Sequence, residues 1–156
     1  YRQLNEKFDR VVSVGMFEHV GRKFYKKYFN KVFDFLNEDG VALIHTIGSI
    51  NPPRAPQPWI TKYIFPGGML PSPTVLRQEV AKAGLDVQHS IEFGESYSQT
   101  LRRWFEVFND QWDTISGMGF DDRFRRMWNF YLTSCAATFE SGNCDVTQIT
   151  LQKPEI

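Results

Sequence analysis

The sequence predicts an α/β fold built on a mostly parallel sheet, and three observations carry that expectation. Two apolar runs, residues 11–14 and 41–47, flank a segment whose apolar residues recur at helical spacing, the pattern of a βαβ unit. The first run stops at Gly15 and is followed at once by Glu18 and His19. Ionisable groups at the carboxyl end of a strand sit where open α/β sheets bind ligands. Finally, 156 residues with 42% hydrophobic and 23% charged suit one folded domain, taken as 1–156, with a single core.

The elements follow in order. Val11, Val12 and Val14 read as a buried first strand. A helix is expected over 22–36, with Phe24, Tyr25, Tyr28, Phe29, Val32, Phe33 and Leu36 on one side. Lys23, Lys26, Lys27 and Lys31 fall on or near the other. Asp39-Gly40 reads as a turn, and 41–47 as the second strand. Residues 48–73 hold seven prolines, which disfavour helix and central strand alike. A loop of that length inside a compact domain is usually functional. Trp59, Ile60, Tyr63, Ile64 and Phe65 make it apolar enough to pack on something apolar. A helix is expected over 75–83, stopped by Gly84, then a half-exposed strand over 85–91. A helical insert (98–115 and 121–139) and a last strand (144–153) complete the chain, with no repeat, low-complexity tract or domain boundary.

Composition narrows the classes. Eighteen basic residues balance eighteen acidic ones, which argues against nucleic acid as a partner. No apolar run reaches the roughly 20 residues that span a bilayer. Two cysteines, Cys135 and Cys144, make neither a disulfide framework nor a metal site, so a reduced, cytoplasmic protein without a metal is the simplest reading. Gly67-Gly68 follows Phe65-Pro66 rather than a strand and lacks the spacing of a phosphate loop. Arg102, Arg103, Trp104, Phe105 and Phe108, and then Arg123, Arg125, Arg126 and Trp128, mix basic and aromatic residues on two expected helices. Such faces suit a bilayer surface, although an ordinary core with a solvated basic side is the simpler reading.

By residue type alone, Glu18 is either a group at the ligand edge or a carboxylate favoured by a helix N-terminus. His45 is either its neighbour on the second strand or a core histidine, and His19 is as good a candidate as His45.

A set of motifs adds to this reading. Phe17-Glu18-His19-Val20-Gly21, Ile44-His45-Thr46-Ile47, the stretch from Trp59 through Lys62-Tyr63-Ile64-Phe65-Pro66-Gly67-Gly68 to Leu70-Pro71-Ser72, Tyr97 with Thr100-Leu101, and Tyr131-Leu132 with Cys135 occur in this order. Together they resemble the cyclopropane-fatty-acyl-phospholipid synthase family of S-adenosylmethionine-dependent methyltransferases, over essentially the whole chain. The resemblance implies the C-terminal half of a class I, Rossmann-like methyltransferase, with one antiparallel strand and a helical insert. The N-terminal, donor-binding half with its glycine-rich turn is then absent from this chain, and the fragment alone is expected to be inactive and to self-associate or form a homo-oligomer.

The activity implied is addition of a methylene to the cis double bond of unsaturated phospholipid acyl chains, through a carbocation with bicarbonate as base. The implied cofactors are S-adenosylmethionine and bicarbonate. Matching favours His45 over His19. It places Glu18, His45, the Ile47 backbone and Tyr97 at the bicarbonate site, with Glu18, His45 and Tyr97 catalytic. It places Trp59, Tyr63, Phe65 and Cys135 along the substrate channel, Cys135 as packing rather than nucleophile. The implied partner is unsaturated phospholipid at the inner face of the membrane, to which the protein is peripheral. Two other readings stand beside this: a related lipid or amine methyltransferase, and a non-catalytic remnant that binds lipid or a partner.

Overall fold

The computed structural model describes residues 1–50 and 57–154. They form two compact units, Tyr1–Glu92 with Val146–Ile156, and Phe93–Asp145.

The first unit carries a four-stranded sheet. In chain order come β1 (Phe8–Val14), α1 (Tyr25–Phe35), β2 (Leu36–Ser49), α2 (Pro58–Tyr63), α3 (Pro73–Lys82), β3 (Asp86–Glu92) and, after the second unit, β4 (Cys144–Gln152). The strand order is β1-β2-β4-β3. β1 and β2 pair in parallel, and β3 and β4 pair antiparallel, so the expected mixture of strand directions is present. α1 buries Tyr25, Tyr28, Phe29 and Val32 as its spacing forecast, and Phe35, which it did not; Phe24 and Phe33 are half-buried and Leu36 opens β2. With Phe17, Leu36, Ala42, Ile44, Leu76, Val80, Ile149 and Leu151, the side chains of Tyr25, Tyr28, Phe29 and Val32 make one apolar core. Full burial of each large one contributes about 1.5–3 kcal/mol before entropy is counted.

Three expectations are corrected. First, β1 is not buried throughout: Val12 is 66% exposed and Val14 63%. Val12 and Val14 lie two apart and so share one face of β1, and it is that face which stands open. Second, the expected turn at Asp39-Gly40 lies inside β2. Phe8 pairs with Leu36 and Arg10 with Val41, so two steps along β1 face five along β2, and the intervening residues bulge. A Cβ on Gly40 would stand 3.0 Å from the Asn37 backbone, which is why glycine serves there. Third, the proline-rich segment contains a helix. α2 begins on Pro58, at a position where the missing N–H would have no partner in any case. Residues 51–56 of that segment lie outside the described residues.

α3 starts at Ser72, whose hydroxyl caps the Val75 N–H at 3.3 Å.

The second unit is α4 (Gly94–Asp110), α5 (Trp112–Gly117) and α6 (Asp122–Glu140). The expected single helix over 98–115 breaks at Gln111. α4 and α6 pack together. Asp121 caps α6 by accepting the Phe124 N–H at 2.8 Å. A ladder of rings runs along α6: Phe120–Phe124 at 4.5 Å, Phe124–Trp128 at 5.9 Å and Trp128–Tyr131 at 5.0 Å. Among the described residues no helix is long and apolar enough to cross a membrane.

Candidate active site

The site grows from the end of β1. Gly15 turns the chain with φ +61°, a conformation that favours glycine, and its N–H donates to the His45 carbonyl at 3.0 Å. Val14 is paired with His45, so this bond fastens the end of β1 to β2. A short 3-10 turn, Phe17–His19, follows. Phe17 is fully buried, stacked on Tyr25 at 4.4 Å and tilted against Phe29 at 5.2 Å. That anchor fixes the direction in which its neighbour Glu18 points.

Glu18 is 7% exposed. Its Oε1 accepts the Ile47 N–H at 2.7 Å, and its backbone carbonyl accepts the Met69 N–H at 2.9 Å. Its Oε2 is buried and has no hydrogen-bond partner among the described residues. Burying a carboxyl oxygen without a partner is costly, so such an atom marks a place where a donor belongs.

His45 lies two residues before Ile47 on β2, hence on the same face of the strand. Its Nδ1 stands 3.0 Å from the side-chain nitrogen of Gln148 on β4. An amide nitrogen only donates, so Nδ1 accepts and the ring proton is assigned to Nε2, where it can serve as a donor. Gln148 carries no signal in the sequence that separates it from any other polar residue of a strand. Its role comes from the pairing of elements 103 residues apart.

The first unit therefore brings together Glu18, His45 and Ile47. The Ile47 N–H, expected as a donor to an anion, donates to Glu18 here. His19 is exposed, and its ring faces Phe65 at 5.9 Å. Phe65, 40% exposed, follows α2, where Trp59 and Tyr63 face each other at 5.7 Å. The segment leading to α3 is held near the site by the Met69–Glu18 bond and by Ser49 N–H donating to the Pro71 carbonyl at 2.9 Å.

Tyr97 and Cys135 belong to the second unit. Tyr97 packs edge-on against Phe139 at 5.1 Å. Burial, with smaller contributions from Cys135 and Tyr97, raises Tyr131 well above the usual phenol range. Burial also pushes the Cys135 thiol up to about 11, with Cys144 adding to the rise. A thiol held protonated at neutral pH is a poor nucleophile.

The mycolic acid cyclopropane synthetase family matches residues 1–149. The chain belongs to that family. Its similarity to cyclopropane-fatty-acyl-phospholipid synthase of Escherichia coli strain K12 is 41% identity over 153 residues, covering 98% of this chain and 40% of that protein. Among solved structures, the cyclopropane synthase MmaA2 from Mycobacterium tuberculosis superposes with a TM-score of 0.90 at 30% identity, covering 97% of this chain and 57% of that one. The mycolic acid cyclopropane synthase CmaA1, complexed with SAH and CTAB, superposes with a TM-score of 0.88 at 31% identity and the same coverage. The synthetase-family chain thus spans about two fifths of the Escherichia coli enzyme's length. Its α/β architecture is that of a Rossmann-like methyltransferase.

Proposed function

We propose that the polypeptide containing this chain is a cyclopropane fatty acid synthase, converting the cis double bond of unsaturated phospholipid acyl chains to a three-membered ring. S-adenosylmethionine supplies the activated methyl, and bicarbonate supplies a base. The alkene's π electrons would bond to the methyl carbon as its bond to sulfur breaks and the thioether leaves, and passage of a proton from that carbon to bicarbonate would leave the electron pair that closes the ring on the cation.

The observation that carries the reading is the buried, unpartnered Oε2 of Glu18. A carboxyl group beside a bound anion is otherwise paradoxical. It fits when the anion brings its own O–H, which donates to Oε2. The Nε2–H of His45, set by Gln148, is the complementary donor. The Ile47 N–H holds Oε1 and so turns Oε2 toward the ligand. Tyr97, expected from the family motifs to take part, carries a phenol and a ring face of the kind that suits an anion and a cation. Trp59, Tyr63 and Phe65 line the acyl path, where apolar walls keep water from the cation.

The remainder of the methyltransferase fold, an N-terminal half with the donor-binding loop, completes the enzyme. This chain alone does not bind the donor tightly or turn over.

The proposed setting is the surface of an anionic bilayer, with the protein peripheral to it. Between Arg22 and Phe35 the chain carries five cations, Arg22, Lys23, Lys26, Lys27 and Lys31, against the single anion Asp34, although the whole sequence is neutral. Lys23, Lys26, Lys27, Asn30, Lys31 and Asp34 line one open depression of about 370 Å³. Lys23, Lys26 and Lys27 are exposed and make no ion pair among the described residues. Basic helix faces of this kind attract acidic headgroups.

The test is the full-length polypeptide with S-adenosylmethionine, bicarbonate and vesicles of monounsaturated phospholipid, read by mass spectrometry. The expected product gains one CH2 and loses its double bond. A product with a methyl branch, or an unaltered lipid, would refute ring formation.

A further inference from the structure

Three buried side-chain oxygens lack any partner among the described residues: Glu18 Oε2, Tyr25 Oη and Ser90 Oγ. Two of the three belong to one short stretch, seven residues apart. The Tyr25 ring is stacked on Phe17, the residue next to Glu18, at 4.4 Å. Tyr25 is only 1% exposed, so solvent does not satisfy its hydroxyl. Its neighbour Tyr28, equally buried, shows the ordinary solution, donating its hydroxyl proton to Ser13 Oγ at 2.8 Å. The contrast is between two tyrosines on the same helix face, one paired and one bare.

A bare phenol and a bare carboxyl oxygen have complementary needs. Oε2 needs a donor. Oη has a proton to give. They make no hydrogen bond with each other, so one small group that both donates and accepts would satisfy them together. We propose that Tyr25 is a further ligand-binding residue of this site: its hydroxyl donates to an oxygen of the same bound anion whose O–H donates to Glu18 Oε2. The inference rests on the bicarbonate reading of the site and adds a residue to it. Two features agree. Burial, with a further push from the Glu18 carboxylate and a partial offset from Arg22, raises the Tyr25 phenol above its usual range, so it stays a donor at neutral pH. The stacking on Phe17, together with Tyr25's place in the core, holds the ring in one orientation beside the residue that adjoins Glu18.

The experiment uses the full-length polypeptide and two conservative variants, Tyr25→Phe and Tyr28→Phe. Binding of 13C-bicarbonate is followed by NMR line broadening, and the bicarbonate dependence of turnover is measured separately. Loss of one hydrogen bond to a charged ligand should weaken bicarbonate binding about tenfold in Tyr25→Phe, with KM for bicarbonate rising in step. The melting temperature should not fall, because no protein–protein hydrogen bond is removed. Tyr28→Phe should do the reverse, lowering the melting temperature and leaving bicarbonate binding unchanged. If wild type and Tyr25→Phe bind bicarbonate equally, the Tyr25 proposal is overturned and the reading of Glu18 survives. A lower kcat in Tyr25→Phe with unchanged bicarbonate binding also overturns it, pointing to a bound water instead. If the wild type itself does not bind bicarbonate, the reading of the whole site fails, and this inference with it.

Discussion

The two units of this chain differ in whether, among the described residues, they leave buried side-chain oxygens bare. In the second unit a group of polar side chains pairs across α4 and α6. Asn109 Oδ1 accepts from Arg125 Nε at 3.2 Å, Arg125 Nη2 at 3.1 Å and Asn129 Nδ2 at 3.1 Å, and its own amide donates back to Asn129 at 2.9 Å. Arg102 grips Glu140 through two bonds of 2.7 and 2.8 Å, and Arg103 pairs with Glu106. Among the described residues, the first unit leaves buried oxygens of Glu18, Tyr25 and Ser90 bare and three lysines of the α1 segment without an anion. Satisfied polar groups hold a scaffold. Where unsatisfied ones cluster, as at Glu18 and Tyr25, they hold a place for something else, because leaving them bare costs stability that packing alone does not repay.

Substitutions at each kind of group put that difference to work. The largest effect is expected at Glu18. Glu18→Gln keeps an acceptor for the Ile47 N–H but can replace the acceptor at Oε2 with a donor, so ring formation by the full enzyme should fall by about 10²–10⁴-fold, the range typical of a proton-handling group. The melting temperature should stay near that of wild type, and near-normal turnover would remove the site's central group.

Next comes the lysine face. The triple change Lys23→Gln, Lys26→Gln, Lys27→Gln should lower partitioning onto phosphatidylglycerol-rich vesicles by about 100-fold at low salt, since each cation near an anionic surface contributes about 1 kcal/mol. Partitioning onto neutral vesicles should be unchanged. Equal binding of both proteins to anionic vesicles would show these charges to be merely solvated.

A smaller loss is expected at Gln148. Gln148→Leu removes the donor that sets the His45 tautomer, and turnover should fall about tenfold, in line with one lost hydrogen bond. The activity–pH profile should also shift, a change that a purely structural role would not produce.

The smallest effect on activity belongs to the second unit. Asn109→Ala strips the shared acceptor from Arg125 and Asn129 and should cost about 1–3 kcal/mol of stability in denaturant titration. Turnover per folded molecule should be unchanged. A selective loss of activity would break the contrast between scaffold and site.

Much of the site is legible in the order of residues alone. The apolar run ending at Gly15, the acid after it and the histidine inside the second run place Glu18 and His45 at one edge of the sheet. The order of the motifs then favours His45 over His19, whose ring instead faces Phe65. The companions of these residues are not legible in the same way. Gln148 looks like any polar residue of an alternating strand, and Tyr25 like any aromatic of a buried helix face. Similarly, Pro58 reads as a helix breaker until its position at a helix start is known.

The βαβ unit, the buried face of α1, the helical insert and the family are all written in the chain itself, because spacing and residue type are local properties that a segment carries wherever it goes. Long-range packing settles the rest: which face of β1 stands exposed, that two residues of β1 are matched by five of β2, that Gln148 reaches His45, and that Tyr28 is paired while Tyr25 is not. Each depends on which distant segments meet and on what they exclude from solvent. Hydrogen-bond satisfaction and burial are properties of that assembly, and no local pattern of residues encodes them.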